Sequence, residues 1–275
     1  MRASLTVLLC CVACGGGGGS GGGGDDAGDA SPADVPGELR LPPLDGALDY
    51  QLGAAYAPPQ GVTIVSRDRK AAPATGLYNI CYVNGFQIQP DEASTWMTQH
   101  ADLILRDSGG APIIDPDWNE MLIDVSTPAK RTAVAAIVGD WISACKASGF
   151  DAIEIDNLDS YTRSGGRLTE SDAVATIALF ATVAHDGGLP IAQKNSVELV
   201  ARAPEMHTDF AVAEECNHYT ECDGYRAGYG DHVLVIEYQR ADFVTGCAAF
   251  PGLSIVLRDR NLVAPGDVAY VYDGC

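Results

Sequence analysis

From residue 48 onward the chain alternates between short apolar runs and longer stretches in which apolar positions recur every three or four residues. The runs Gln51–Tyr56, Val62–Arg67, Leu77–Val83, Asp151–Asp156, Pro190–Lys194, Phe210–Glu214, His232–Tyr238 and Ser254–Arg258 have the length of strands. Amphipathic segments fall between several of them: Pro128–Ser148, Glu170–Gly187 and a short one over Val197–Ala203. Ser126 and Thr127 are cap candidates, Pro128 sits where a first-turn proline is tolerated, and Gly149 and Gly187-Gly188 are natural helix stops. Eight strands with helices between them predict an α/β fold, a (β/α)8 TIM barrel in a single domain. The rival is an open doubly wound sheet. That fold usually carries a Gly-rich phosphate turn after its first strand, and none follows here. The segment 86–127 does not fit one repeat. Its run Ala101–Arg106 reads as a ninth strand or as part of an insertion.

The first forty or so residues break this rhythm. Arg2 and the apolar run Leu5–Val12 read as a signal segment, too short for the about 20 residues a spanning helix needs. Cys11-Val12-Ala13-Cys14 resembles a bacterial lipoprotein signal, which makes Cys14 the lipid acceptor over a segment 1–14. Cys10 or Cys11 as acceptor, or a plain secretory signal, are the alternatives. Residues 15–45 are nearly pure glycine and then acidic with Ala and Pro, so they cannot bury enough apolar surface to offset ordering and are expected to be a disordered tether. Gly18 to Gly22 fits G-x-S-x-G inside that tether, without a strand or helix to make it a nucleophile elbow, and the glycine spacings of a dinucleotide fingerprint are met there just as emptily. The folded body is then 46–275.

Composition is ordinary for a globular protein, with 47% hydrophobic and 20% charged residues, but 37 acids against 17 Lys and Arg give a net charge of −20. This argues against nucleic acid as a partner and favours a cationic one, unless the acidity serves only solubility. Nine cysteines are present; removal of Cys10 and Cys11 with the signal and lipidation of Cys14 leave six, an even set that suggests disulfides in an exported protein. Cys216 and Cys222 are close enough to close a small loop. Cys247 with Cys275 and Cys81 with Cys145 are then the pairs expected, with free buried thiols as the alternative. The five histidines form neither H-x-H nor H-E-x-x-H, and the six remaining cysteines lack paired C-x-x-C spacing, so no metal and no cofactor is expected.

In a barrel, chemistry sits at the C-terminal strand ends. Here those ends carry Arg67-Asp68, Tyr82 to Asn84, Asp156-Asn157, Lys194-Asn195, Glu214-Glu215, Glu237-Tyr238 and Arg258-Asp259. Asp68, Tyr82, Glu237 and Arg258 are therefore pocket candidates. Strand alternation puts Glu154 and Asp156 on one face, inside the barrel, with Ile153 and Ile155 facing the helices. Asp156 lies nearer the rim, and Glu154 is expected to be an interior partner. Two carboxylates from different strands, Asp156 and Glu214, facing one cleft are the equipment of glycosidic-bond hydrolysis, and Lys194 is placed to hold neighbouring acids ionised. A salt-bridge network closing the barrel top is the structural alternative.

At GFDAIEIDNLDSY (Gly149 to Tyr161), IAQKN (Ile191 to Asn195), FAVAEEC followed by ECD (Phe210 to Asp223) and IEY (Ile236 to Tyr238) the sequence resembles glycoside hydrolase family 114, the endo-α-1,4-polygalactosaminidase family. The resemblance runs from about Asp49 to Cys275, and the D-N-x-D-x-Y, Q-K-N and E-x-C runs together make it specific. It implies a TIM barrel that cleaves α-1,4-linked galactosamine polymers. Asp156 matches the nucleophile, Glu214 the acid/base, and Lys194, Asn157, Asp159 and Tyr161 match pocket positions. One departure is Ala213-Glu214-Glu215-Cys216, where the family often reads Asn-Glu-Gln-Cys; strand parity places Glu215 on the face opposite Glu214, which keeps the role with Glu214. A galactosamine polymer is cationic near neutral pH, so the acidity has a use, and Tyr56, Tyr82, Phe86, Trp96, Trp118 and Tyr161 are candidates to stack on sugars, though core packing is the expected role of most. The expectation is a monomeric extracellular or cell-surface enzyme, lipid-anchored and otherwise free of membrane. A non-catalytic carbohydrate-binding barrel and a glycosidase for another linkage are the rivals.

Overall fold

The computed structural model describes residues 39–275; the signal segment, Cys14 and most of the expected tether lie outside them. In chain order the elements are β1 (Leu48–Gln51), β2 (Ile64–Asp68), β3 (Tyr78–Asn84), β4 (Gln87–Ile88), α1 (Ala93–Gln99), β5 (Ile114–Asp115), β6 (Glu120–Leu122), α2 (Pro128–Ser148), β7 (Ala152–Asp156), α3 (Ser160–Arg163), α4 (Glu170–Asp186), β8 (Ile191–Lys194), α5 (Ala203–Met206), β9 (Phe210–Glu214), α6 (Cys222–Tyr229), β10 (Val233–Glu237), α7 (Arg240–Ala249), β11 (Ser254–Arg258) and β12 (Tyr272–Gly274). Strands β1, β2, β3, β7, β8, β9, β10 and β11 pair in that order and in parallel; β12 adds antiparallel to β11. The ring closes at the β11–β1 seam through side chains. Ser254 Oγ accepts the Gly46 N–H at 2.9 Å, and Arg258 donates to the Tyr50 carbonyl and to Asp49.

Alternation fills the barrel. Leu48, Tyr50, Ile64, Tyr78, Ile80, Ala152, Ala192, Phe210, Val212, Leu234, Ile236 and Val256 pack inside. Their neighbours, among them Val83, Ile153, Ile155, Ile191, Ala211, Val235 and Ile255, pack outward under the helices. Burying each large member of these layers contributes about 1.5–3 kcal/mol. The long helices begin and end where the sequence signals. Thr127 Oγ1 accepts the Lys130 N–H ahead of Pro128, Gly149 closes α2 at φ 95°, and Thr169 and Asp172 form a capping box on α4.

Two elements differ from the sequence reading. The first strand is Leu48–Gln51, not Gln51–Tyr56. Asp49 and Gln51 interrupt its apolar run, yet both are buried at the seam, where Asp49 meets Arg258 and Gln51 accepts from Arg67. Within the segment 86–127, Ala101–Leu103 is a short 3-10 turn rather than a barrel strand, and β4, β6 and β5 form a small antiparallel sheet inserted after β3. The three expected disulfides are present: Cys81–Cys145 joins β3 to α2, Cys216–Cys222 closes the loop after β9, and Cys247–Cys275 ties α7 to the C-terminus.

Candidate active site

Three neighbouring strands deliver the charged groups. Asp156, Lys194 and Glu214 are each the last residue of β7, β8 and β9, and each is followed by a residue with left-handed backbone: Asn157 (φ 64°), Asn195 (φ 49°) and Glu215 (φ 56°). That backbone turns the chain away sharply, so the last side chain of each strand stands at the barrel mouth. Asn adopts this conformation readily; Glu does so at a cost of about 1–2 kcal/mol, strain of the kind that collects at functional sites.

Lys194 is the hub. Its side chain is 2% exposed, and Nζ lies 3.3 Å from Glu154 Oε1, 3.4 Å from Asp156 Oδ1 and 3.2 Å from Glu214 Oε2. It also donates to the Tyr50 hydroxyl at 3.0 Å. Below it, Glu154 is fully buried and accepts from the Tyr50 hydroxyl at 2.5 Å and from Ser66 at 2.8 Å. Above it, Asp156 accepts from the Tyr82 hydroxyl at 2.6 Å. Glu214 accepts from the Tyr238 hydroxyl and from Asn195 Nδ2 at 3.1 Å, while Asn195 Oδ1 takes the Glu214 N–H at 2.8 Å. The two upper carboxylates, 19% and 29% exposed, open to the cleft.

The electrostatics follow from these partners. Burial alone would lower the Lys194 ammonium, but the surrounding carboxylates hold it well above the usual lysine range, so it stays charged. Burial pushes the Glu154 carboxyl up against the pull of Lys194. For Glu214 the balance reverses: burial raises it, but the charge of Lys194 and the hydrogen bonds from Tyr238 and Asn195 hold it below the ordinary carboxylate value. Lys194 with Asp156 and Glu214 at a concave mouth, and Glu154 beneath them, can carry nucleophilic and acid–base chemistry on a bound molecule.

The model of glycoside-hydrolase family GH114 matches residues 29–275. The chain belongs to GH114. It is a glycoside hydrolase. No curated protein matches it at a significant level. Among solved structures it is similar to Ega3 of Aspergillus fumigatus, crystallised in complex with galactosamine, with a TM-score of 0.67, 21% identity and coverage of 86% of this chain and 98% of that one. It is also similar to the glycoside hydrolase domain of PelA from Pseudomonas aeruginosa, with a TM-score of 0.55, 15% identity and coverage of 80% and 97%. At these identities the likeness establishes the TIM-barrel fold.

On this GH114 barrel the cleft has two arms that meet at Glu214. The first, of about 410 Å³, is lined by Asp68, Tyr82, Asp156, Asn157, Asp159 and Lys194 from the strand ends, together with Trp118 and Glu120 from the insertion. The second, of about 690 Å³, is lined by Ser196, Glu198, Glu215, Tyr219, Glu221 and Tyr225. Trp118, Asp159, Asn195, Glu214, Tyr238 and Arg260 line both. Seven of the residues singled out by sequence thus meet in the first arm: Asp68, Tyr82, Asp156, Asn157, Asp159, Lys194 and Glu214.

The others lie elsewhere. Glu154 sits beneath the cleft, as expected of an interior partner. Tyr161 lines neither arm but donates to Glu198 at 2.6 Å. Arg258 is fully buried at the seam, bonded to Asp49 and to backbone carbonyls rather than facing the cleft. Glu237 faces out of the barrel, where Oε1 accepts the Asn217 N–H at 2.9 Å and Oε2 has no hydrogen-bond partner among the described residues; burial pushes its carboxyl up to about 7. Parity explains this, since Ile236 points inward and so does Tyr238, the residue that reaches Glu214. The parity expected for Glu215 fails for the opposite reason: its left-handed backbone breaks the alternation, and its side chain joins the second arm, paired with Arg260 at 2.6 Å.

Sequence reasoning passed over Tyr50, hidden by the misplaced first strand, and Glu120, hidden in an insertion without a repeat to align it. Glu120 accepts from Asn84 at 2.8 Å, and Asn84 in turn accepts from Asn157 at 3.0 Å. Burial, aided by Asp156 and Asp115, pushes the Glu120 carboxyl up to about 7. Of the aromatic candidates, Phe86 and Trp96 are core, 1% and 2% exposed, while Trp118 is 67% exposed at the junction of the arms.

Proposed function

We propose that this protein is an endo-glycosidase that hydrolyses an α-1,4-linked galactosamine polymer, with Asp156 as nucleophile and Glu214 as acid/base. The observation that carries the reading is Lys194, which holds an oxygen of Asp156 and an oxygen of Glu214 within 3.4 Å of the same nitrogen. The gap between those two oxygens therefore cannot exceed the sum of the two distances. That limit leaves only the low edge of the about 6.5–9.5 Å that attack by an interposed water needs, and so favours direct attack, with carboxyls about 5–5.5 Å apart. In the first step an oxygen of Asp156 bonds to the anomeric carbon while Glu214 gives its proton to the glycosidic oxygen and the leaving chain departs. In the second, Glu214 takes a proton from water, the water oxygen bonds to the anomeric carbon, and the ester to Asp156 breaks. Configuration is retained.

The resemblance of the motifs to the polygalactosaminidase family and the galactosamine held by the similar Ega3 structure support an amino-sugar substrate. The net charge of −20 supports a cationic one. Three disulfides support an exported protein, and Cys14 is the proposed lipid acceptor on a monomeric, surface-held enzyme.

Incubation with partly deacetylated α-1,4-galactosaminogalactan, followed by mass spectrometry, is the test. The parent should release oligosaccharides, and Asp156→Asn and Glu214→Gln should each slow release by roughly 10²–10⁴-fold or more with the circular-dichroism spectrum unchanged. Equal cleavage by the variants and the parent would sink the assignment. Binding of the polymer without cleavage would favour a non-catalytic barrel. Should Glu120→Gln remove the acid function and Glu214→Gln spare it, the role passes to Glu120.

A further inference from the structure

The two arms are unequal in a way that orients the substrate. Asp156 lines only the first arm, while Glu214 lines both. A nucleophile lies against the anomeric carbon under attack, and the acid reaches the oxygen on the far side of the bond. The first arm therefore holds the sugar that is attacked, and the second arm receives the chain that leaves.

The second arm is built for a particular leaving chain. Its carboxylates outnumber its cations: Arg260 is taken by Glu215 at 2.6 Å. Glu198 accepts a neutral hydrogen bond from Tyr161 at 2.6 Å. Burial and the negative charge of Glu198 push the Glu221 carboxyl up, with no cation among the described residues to hold it down. Ser196, with 9% of its surface exposed, lines the same arm, and its buried hydroxyl has no hydrogen-bond partner among the described residues. Tyr219, 60% exposed, offers an aromatic face there. The Cys216–Cys222 disulfide closes the loop that carries Tyr219 and Glu221 and so fixes both against the arm.

We propose that the arm lined by Ser196, Glu198, Tyr219 and Glu221 binds protonated 2-amino sugars on the leaving-group side of the scissile bond, and so selects which linkages in a partly N-acetylated polymer are cut. Carboxylates without a cation prefer an ammonium to a neutral acetamide, and the aromatic face of Tyr219 takes the sugar ring. The proposal rests on the substrate and on the Asp156 and Glu214 roles given above.

Hydrolysis of a partly N-acetylated α-1,4-galactosaminan in ¹⁸O-water tests it. Heavy oxygen enters the new reducing end and marks the attacked side, so each unlabelled partner fragment begins with the sugar that occupied the second arm. In the parent, free amino sugars should be enriched at these new non-reducing ends over the polymer composition, roughly three- to fivefold, as two partly exposed ion pairs allow. In the Glu198→Gln/Glu221→Gln variant that enrichment should fall to the polymer composition, while the preference at labelled reducing ends persists. In Glu198→Lys/Glu221→Lys it should turn in favour of acetylated sugars. A merely misfolded arm would change both ends together. No enrichment in a parent that cleaves, or the same enrichment in the variants, overturns this assignment alone. A parent that cleaves no galactosaminan overturns the substrate reading, and this assignment with it.

Discussion

Lys194 and Arg258 are both buried in this barrel, and they do different things. Arg258 is fully buried and its donors are matched: 3.0 Å to the carbonyls of Val263 and Val271 and to Asp49 Oδ1, with a further bond to the Tyr50 carbonyl. Lys194 is almost as buried but is shared among Glu154, Asp156 and Glu214, the last two open to the cleft. A matched ion group at a seam substitutes for missing ladder bonds. An ion group with surplus negative charge at an open mouth is poised to act on something brought to it. Burial of charge alone separates neither from the other; the ratio of partners and the access to solvent do.

The sharpest way to break the comparison is at the seam. Arg258→Leu leaves Asp49 buried with only the neutral donors of Gln51 and Tyr56, and should destabilise the fold by about 3–5 kcal/mol. Urea titration measures this. The pH dependence of kcat/KM for the molecules that remain folded should stay where it is. A shift of that profile would mean that seam and mouth are one unit.

Glu237 is a buried carboxyl with no cation beside it among the described residues. Burial, with Asp242 and Glu215, raises its carboxyl from the ordinary 4.5 to about 7, against the pull of the backbone N–H groups of Asn217 and His218. Between those two values the unfolded chain binds fewer protons than the folded one, so stability falls as pH rises, on the order of 2–3 kcal/mol across the window. Glu237→Gln should flatten the decline, with the largest gain in Tm above pH 7. A variant whose Tm falls with pH as steeply as the parent's would show that the decline comes from another group.

The contrast between matched and surplus charge was half legible in the sequence. Alternation along AIEID placed Glu154 and Asp156 inside the barrel, and the Asp-Asn and Lys-Asn pairs that end β7 and β8 put a left-handed residue after each active side chain. Phe210–Glu214 and Ser254–Arg258 match their strands residue for residue. What stayed hidden depended on distant partners. Asp49 and Gln51 make β1 look polar until Arg258 and Arg67, far along the chain, pair with them. Arg258 and Glu237 look like pocket residues at strand ends, yet one is absorbed by the seam and the other faces outward by the parity that sends Tyr238 inward. Glu120 and Trp118 come from an insertion whose place over the mouth no periodicity encodes.

The smallest expected effect tests the hub itself. Lys194 holds Glu214 below the ordinary carboxylate value in spite of burial, and the basic limb of kcat/KM reports the deprotonation of the acid in the free enzyme. The parent should therefore lose activity as pH rises above the low range in which Glu214 keeps its proton, and work best in acid. Lys194→Met removes the positive charge and leaves burial, so the Glu214 carboxyl rises and the basic limb should move to higher pH, by about one unit, or about 1.4 kcal/mol of lost attraction. Overall kcat should drop, because the same lysine fixes the geometry of Asp156. The two readouts separate two roles. A lysine that only filled space would lower kcat and leave the limb in place. A lysine that tunes the acid moves the limb, and the surplus of carboxylates around it is then what the mouth has and the seam lacks.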